Sequence, residues 1–184
     1  GSAVITIETP PTAFNVTGGG AYCSDDVMAQ SIGLDGSEVD VNYELFRDGN
    51  SIETVAGTGS AISFSDQTTA GTYTVVATST LGELCDTDML GSAVITIETP
   101  PTALNVTGGG AYCSDDVMAQ SIGLDGSEVD VNYELFRDGN SVETVAGTGS
   151  AISFSDQTAA GTYTVVATST LGELCDTDML GSAV

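Results

Sequence analysis

The segment GSAVITIETPPTA begins at Gly1 and begins again at Gly91, so the chain repeats with a period of 90 residues. Two periods reach Leu180, and the remaining GSAV opens a third. The copies differ at three aligned positions: Phe14 against Leu104, Ile52 against Val142, and Thr69 against Ala159. The first two exchange one apolar side chain for another, which a core tolerates with modest repacking. A period of this size is a whole domain, well beyond the solenoid unit of about 20–50 residues. The expected organisation is two small domains, each near the lower end of lengths that fold alone.

Within one period there is no sustained helical periodicity. Short alternating segments recur between Gly, Asp and Ser turns, which predicts an all-β fold. The expected strands are residues 13–17 with Phe14 and Val16 inward, 27–34 with Met28, Ile32 and Leu34 inward, and 39–47 with Val41, Tyr43 and Leu45 inward. Asp48-Gly49 between apolar runs favours a type I′ hairpin, and residues 51–55 return from it. Residues 61–64 place Ile62 and Phe64 inward, 72–79 place Tyr73, Val75 and Ala77 inward, and 88–98 alternate through Met89, Ala93, Ile95 and Ile97. The triplet at 18–20, GGG, is expected to break the first strand. About seven strands with turns every ~8–12 residues is the pattern of a Greek-key β-sandwich.

The prolines set the boundaries. TPPT stands at 9–12 and again at 99–102. Paired prolines donate no ladder hydrogen bonds and stiffen the chain, so each is read as an interdomain linker. Residues 1–8 then read as the last strand of a preceding repeat, 12–98 as one complete repeat, and 102–184 as a second repeat whose last strand is incomplete. A sandwich without its final Ile-Thr-Ile-Glu presents a sheet edge and an apolar slot. Ile5 and Ile7 are the residues expected to enter such a slot in a neighbouring copy, by head-to-tail continuation or by strand exchange.

Charge narrows the partners. There are 26 acidic residues, two Arg (Arg47 and Arg137), no Lys and no His, for a net charge of −24. That excludes nucleic acid, whose binding rests on Lys and Arg displacing counterions, and anionic membrane surfaces. No run is long enough to span a bilayer. Without His or Lys, general acid–base and Schiff-base chemistry lose their usual residues. Carboxylate pairs alone hydrolyse glycosides, but here the carboxylates sit in short loops and no Trp offers a sugar platform. The expectation is a protein that is not an enzyme. Missing Lys also excludes Lys–Asn isopeptide crosslinks.

Cysteines come two per period, Cys23 and Cys85, then Cys113 and Cys175. An even count per domain at wide spacing fits one intradomain disulfide and an oxidising compartment. On the chain-entropy model each would contribute about 4 kcal/mol. Zinc is the competing reading, although two Cys without His make a poor zinc site.

The order GGGxYC, VNYELFRDG, AGTYTVVAT, Cys, GSAVITI resembles the immunoglobulin-like repeats of very long secreted cell-surface proteins of Bacteroidetes-type bacteria, and the resemblance covers the whole period. It implies adhesins and surface fibres, often exported by the type IX route, with the cysteine pair as a disulfide. AGTYTVVAT also looks like strand F of immunoglobulin sandwiches, with Tyr73 at the place of the corner tyrosine. The sequence departs there, because Val75 stands where the second cysteine of antibody domains would be. The bridge is therefore expected to tie the start of the second strand to the loop before the last.

A bond from Cys23 to Cys85 would gather Asp25, Asp26, Asp86 and Asp88, with Glu83 nearby, and in the second copy Asp115, Asp116, Asp176 and Asp178. Such a density of hard oxygen ligands suits Ca²⁺; the alternative is a solvated acidic rim. LDGSEVD at 34–40 adds Asp35, Glu38 and Asp40, as ion ligands or as a polar turn. Asn15-Val16-Thr17 and Asn105-Val106-Thr107 match the glycosylation sequon, here read as coincidence. Tyr22 and Phe46 are candidates for exposed aromatics, with Phe46 under the hairpin as the alternative. Together these features predict a non-catalytic structural repeat of an extracellular bacterial surface fibre, stalk or filament. The alternative is an adhesin module that grips a glycan or protein.

Overall fold

The computed structural model describes residues 7–26, 28–82, 84–113, 115, 118–172 and 175–184, and all regular structure among them is β. The chain divides into two compact units. The first draws on Gly1–Tyr22 and Val27–Ile97, the second on Cys23–Asp26 and Glu98–Val184. Each is an immunoglobulin-like sandwich of two sheets.

In the first unit the strands in chain order are β1 (Val16–Gly18), β2 (Gly20–Cys23), β3 (Ile32–Leu34), β4 (Val41–Arg47), β5 (Asn50–Ala56), β6 (Ile62–Ser63), β7 (Gly71–Ser79), β8 (Asp86–Asp88) and β9 (Ala93–Glu98). One sheet has the order β1-β3-β6. The other has the order β2-β9-β7-β4-β5, with β8 also paired to β7. The alternation of apolar and polar residues explains the layers. Val41, Tyr43 and Leu45 of β4 and Tyr73, Val75 and Ala77 of β7 are buried, and they meet Ile32, Leu34, Ile62 and Phe64 from the facing sheet. The second unit has β10 (Val106–Gly108), β11 (Ile122–Leu124), β12 (Val131–Arg137), β13 (Asn140–Ala146), β14 (Ile152–Ser153), β15 (Tyr163–Ser169) and β16 (Asp176–Asp178). Its sheets run β10-β11-β14 and β13-β12-β15-β16.

Two local devices match the sequence. Asp48 and Gly49 both take positive φ, 49° and 79°, as a type I′ hairpin requires. The Tyr73 hydroxyl donates to the Thr69 carbonyl at 2.6 Å, and Tyr163 does the same to Ala159 at 2.7 Å. This is the tyrosine corner of the immunoglobulin fold. It also explains why Thr69 and Ala159 interchange freely, since only the backbone oxygen of that position is used.

Four expectations are corrected. The GGG triplet does not simply end a strand. At Gly19 the chain leaves one sheet and joins the other, where Gly20–Cys23 forms β2. Gly19 has φ 81°, and a Cβ there would lie 2.6 Å from the Val94 carbonyl oxygen, so the crossing needs glycine. Tyr22, on β2, is buried at 4% exposure, and its hydroxyl donates to the Thr68 carbonyl. Met28 is exposed and regular strand begins only at Ile32. The expected run at 88–98 is split: β8 ends at Asp88, Gly91 turns with φ 75°, and β9 restarts at Ala93. Ile97 is consequently exposed while Ile95 is buried. Phe46 is half-buried.

Tyr73→Phe removes only the corner hydroxyl. It is expected to destabilise the first unit by about 1 kcal/mol, or roughly 4–8 °C of melting temperature for a domain of this size, with an unchanged circular dichroism spectrum. Tyr163→Phe is expected to do the same to the second unit.

Candidate functional site

The strand that organises each unit is β7 or its counterpart β15, because its two ends hold different neighbours. At its start, β7 pairs with β9: Gly71 faces Ile95 and Tyr73 faces Ala93. β9 then runs on past Gly71 to Glu98. β2 lies alongside β9 and follows the same direction, with Gly19 against Val94 and the Ser24 N–H donating to the Glu98 carbonyl at 2.8 Å. Cys23 therefore sits beside Glu98. At the other end of β7, β8 pairs Asp86 with Thr78, and the Ser79 N–H donates to the Cys85 carbonyl at 3.0 Å. From Gly71 to Ser79 is roughly 26 Å at ~3.3 Å per residue.

Cys23 and Cys85 are thus at opposite ends of one sheet, and no disulfide spans that distance, since bonded cysteines keep their Cα atoms within about 7 Å. The expected pairing inside each period is overturned. Cys23 is bonded to Cys175, with Cα atoms 5.7 Å apart, and Cys85 and Cys113 are free. The bond lies in the second unit, to which Cys23–Asp26 belongs although its sequence is part of the first period. The expected tie from the second strand to the loop before the last does exist, but that loop belongs to the next copy. The even count of cysteines per period carried no information about which period holds the partner. The signal was in the strand order, which puts one cysteine at the end of the last strand and the other at the end of strand F.

The Cys23–Cys85 bond that was to gather the carboxylates of the expected calcium cluster is not formed. Asp25 and Asp26 follow Cys23, while Asp86 and Asp88 flank the exposed β8 at the far end of β7. Asp115 is exposed, and Asp176 and Asp178 are the exposed ends of β16; Asp116 and Glu83 lie outside the described residues. Among the described residues no three Asp, Glu, Cys or His side chains converge as a metal site. The acids of the 34–40 loop hold the chain together instead. Glu38 accepts from the Thr12 hydroxyl at 2.5 Å and the Thr12 N–H at 3.1 Å. Asp35 accepts from the Asn15 side-chain amide at 2.6 Å and the Asn15 N–H at 2.9 Å. The sequon amide is therefore engaged by a carboxylate, as is that of Asn105 by Asp125. The Asn15 amide, and then the Asn15 N–H, hold the Asp35 carboxyl below its ordinary value of 3.8. Asp40 contributes its carbonyl, which accepts from Thr80 at 2.7 Å.

The second unit carries an open groove of about 610 Å³, lined among others by Gly110, Tyr112, Ile122, Gly161, Tyr163 and Val184. This is the place that β9 fills in the first unit, where Ile95 is buried at 1% exposure between β2 and the start of β7. In the second unit Ala183 still bridges to Tyr163, and the Gly110 N–H donates to Val184 at 2.9 Å. Of the two residues expected to fill such a slot, Ile7 is 92% exposed, and Ile5 lies outside the described residues.

No protein-family model and no curated protein matches the chain. Among solved structures it is similar to the ligand-binding domain of human OSCAR, at 9% identity and a TM-score of 0.41, covering 96% of this chain and 98% of that one. It is similar to the fibronectin(III)-like modules of Clostridium thermocellum CbhA, at 11% identity and a TM-score of 0.38, covering 89% and 91%. It is also similar to a Ca²⁺-stabilized adhesin that helps an Antarctic bacterium reach out and bind ice, at 23% identity and a TM-score of 0.49, covering 96% of this chain and 49% of that one.

Two outcomes follow from this geometry. Because Cys23 and Cys175 stand in different periods, reduction opens no loop that is closed within a single period. The melting of each domain is expected to change by less than about 5 °C on reduction, whereas losing an intradomain bond worth about 4 kcal/mol would cost some 16–32 °C. The lowered Asp35 carboxyl stabilises the fold fully above its ordinary value, and that contribution is lost as pH falls through the depressed one. Asp35→Asn should therefore weaken the fold at neutral pH and show a smaller further loss below about pH 4 than the parent, read by urea denaturation across an acid series.

Proposed function

We propose that the chain is a segment of an extracellular bacterial surface fibre, stalk or filament, a non-catalytic adhesin-type spacer made of immunoglobulin-like repeats. The observation that carries this reading is the disulfide from position 23 of one period to position 85 of the next. A domain whose cysteines are useful only to its neighbours is built for use in series. An oxidising location suits the bond, and charge of one sign keeps a long exposed polymer soluble and discourages lateral clumping.

The partner of each repeat is another copy. The groove of the second unit takes an Ile-Thr-Ile-Glu strand, because the first unit seats that segment in the equivalent place with Ile95 fully covered. Burying one isoleucine contributes about 1.5–3 kcal/mol. Continuation of the chain by ITIE is expected to raise the melting temperature of the second unit alone, and STSE is expected not to. Free GSAVITIETP peptide added to the unextended chain separates the sources. A rise in melting temperature with peptide marks exchange between separate subunits, and a rise only with the covalent extension marks continuation.

Function as a spacer is tested on cells displaying two, four or eight repeats, with or without a fixed terminal binding head. Capture of a ligand recessed below the cell coat should need both the head and a sufficient number of repeats. Equal capture by headless repeats would favour the module that itself grips a glycan or protein.

A further inference from the structure

We propose that Cys85 and Cys113, the two free thiols, are the two halves of the same bond that Cys23 and Cys175 already make, each directed to a neighbouring repeat. Cys85 pairs with the cysteine at position 23 of the preceding period. Cys113 pairs with the one at position 85 of the following period. Consecutive repeats are then stitched by one disulfide at every junction, a covalent ladder running parallel to the peptide chain. The inference rests on the array reading above.

Three observations carry it. Cys85 is the period-equivalent of Cys175, and Cys113 of Cys23, so the bonded pair shows what each free thiol does when its partner is present. Neither free thiol is bonded within its own repeat: β7 holds Cys23 and Cys85 at opposite ends of one sheet, and Cys175 is already taken by Cys23. In the first unit Cys85 follows Ser79, and in the second Ser169 donates to Cys175 at 2.9 Å in the same way. Finally, each bonded cysteine is more covered than its free equivalent: Cys175 is fully buried against a half-buried Cys85, and Cys23 is half-buried against an exposed Cys113. Each bond forms by loss of two protons and two electrons from two thiols. The electrons pass to the disulfide of an exported thiol–disulfide oxidoreductase, which is reduced to its dithiol.

The two arginines make the pattern readable. A chain lengthened by one further 90-residue period has three arginines, and cleavage after each gives four fragments. With free thiols blocked under denaturing, acidic conditions and no reductant, the ladder predicts the first fragment joined to the third and the second joined to the fourth. It also predicts that the number of blocked thiols stays at two however many periods are added. Bonds within repeats would join all four fragments in series and leave no free thiol. A count that rises by two with each period would mean that these cysteines stay unpaired. Either result overturns the ladder, whereas the fibre reading is decided separately, by ligand capture on cells displaying two, four or eight repeats. Cys113→Ser in the lengthened chain should separate the second fragment from the fourth while the first and third stay joined; a second and fourth still joined would also overturn it.

Discussion

The pairing of β7 with β9 at one end and with β8 at the other governs most of what this chain does. It is a matter of register. Tyr73 against Ala93 and Thr78 against Asp86 leave no freedom in where the flanking segments end. Once those registers hold, the last strand leaves the sandwich beside β2, and the segment that carries Cys85 sits at the far end of the same sheet. The corner hydroxyl of Tyr73 locks the start of β7 to Thr69, so the geometry begins from a fixed point. A repeat with one cysteine at each end of its sheet cannot staple itself.

The extreme charge is accommodated by the same economy. With two arginines for 26 acids, few carboxylates can find a cation. Many of them accept from N–H and hydroxyl groups instead. Glu38 holds Thr12, Asp35 holds Asn15, Asp48 accepts from the Thr72 N–H at 2.9 Å, and Glu53 accepts from the Ser65 N–H at 2.8 Å. These bonds close loops between strands that are far apart in sequence. Charge-assisted hydrogen bonds of this kind are about twice as strong as neutral ones. The described acids outside these bonds are mostly exposed.

The parts of the fold that were legible in the sequence are those where one local rule decides. Alternation placed Tyr43, Leu45, Tyr73, Val75 and Ala77 in the core, and Asp48-Gly49 marked its hairpin. What was not legible depended on events between sheets. Nothing in the run of three glycines distinguishes a strand end from a crossing to the other sheet, since both need positive φ. The run at 88–98 alternates well enough to pass for one strand, and only the turn at Gly91 divides it. Met28 carries the apolar character of a core residue but lies ahead of the point where β3 begins. The cysteine pairing failed for the clearest reason. In a perfect repeat, position 85 of one period and position 85 of the next are the same residue to any local rule, and only the separation along β7 tells them apart.

Cleavage after Arg47 and Arg137 tests, in the chain as it stands, whether the disulfide joins one period to the next. Under denaturing conditions without reductant, the fragment ending at Arg47 should remain joined to the fragment beginning at Asp138, while the middle fragment separates with both thiols free. All three fragments held in series, with no free thiol, would show instead that each repeat staples itself.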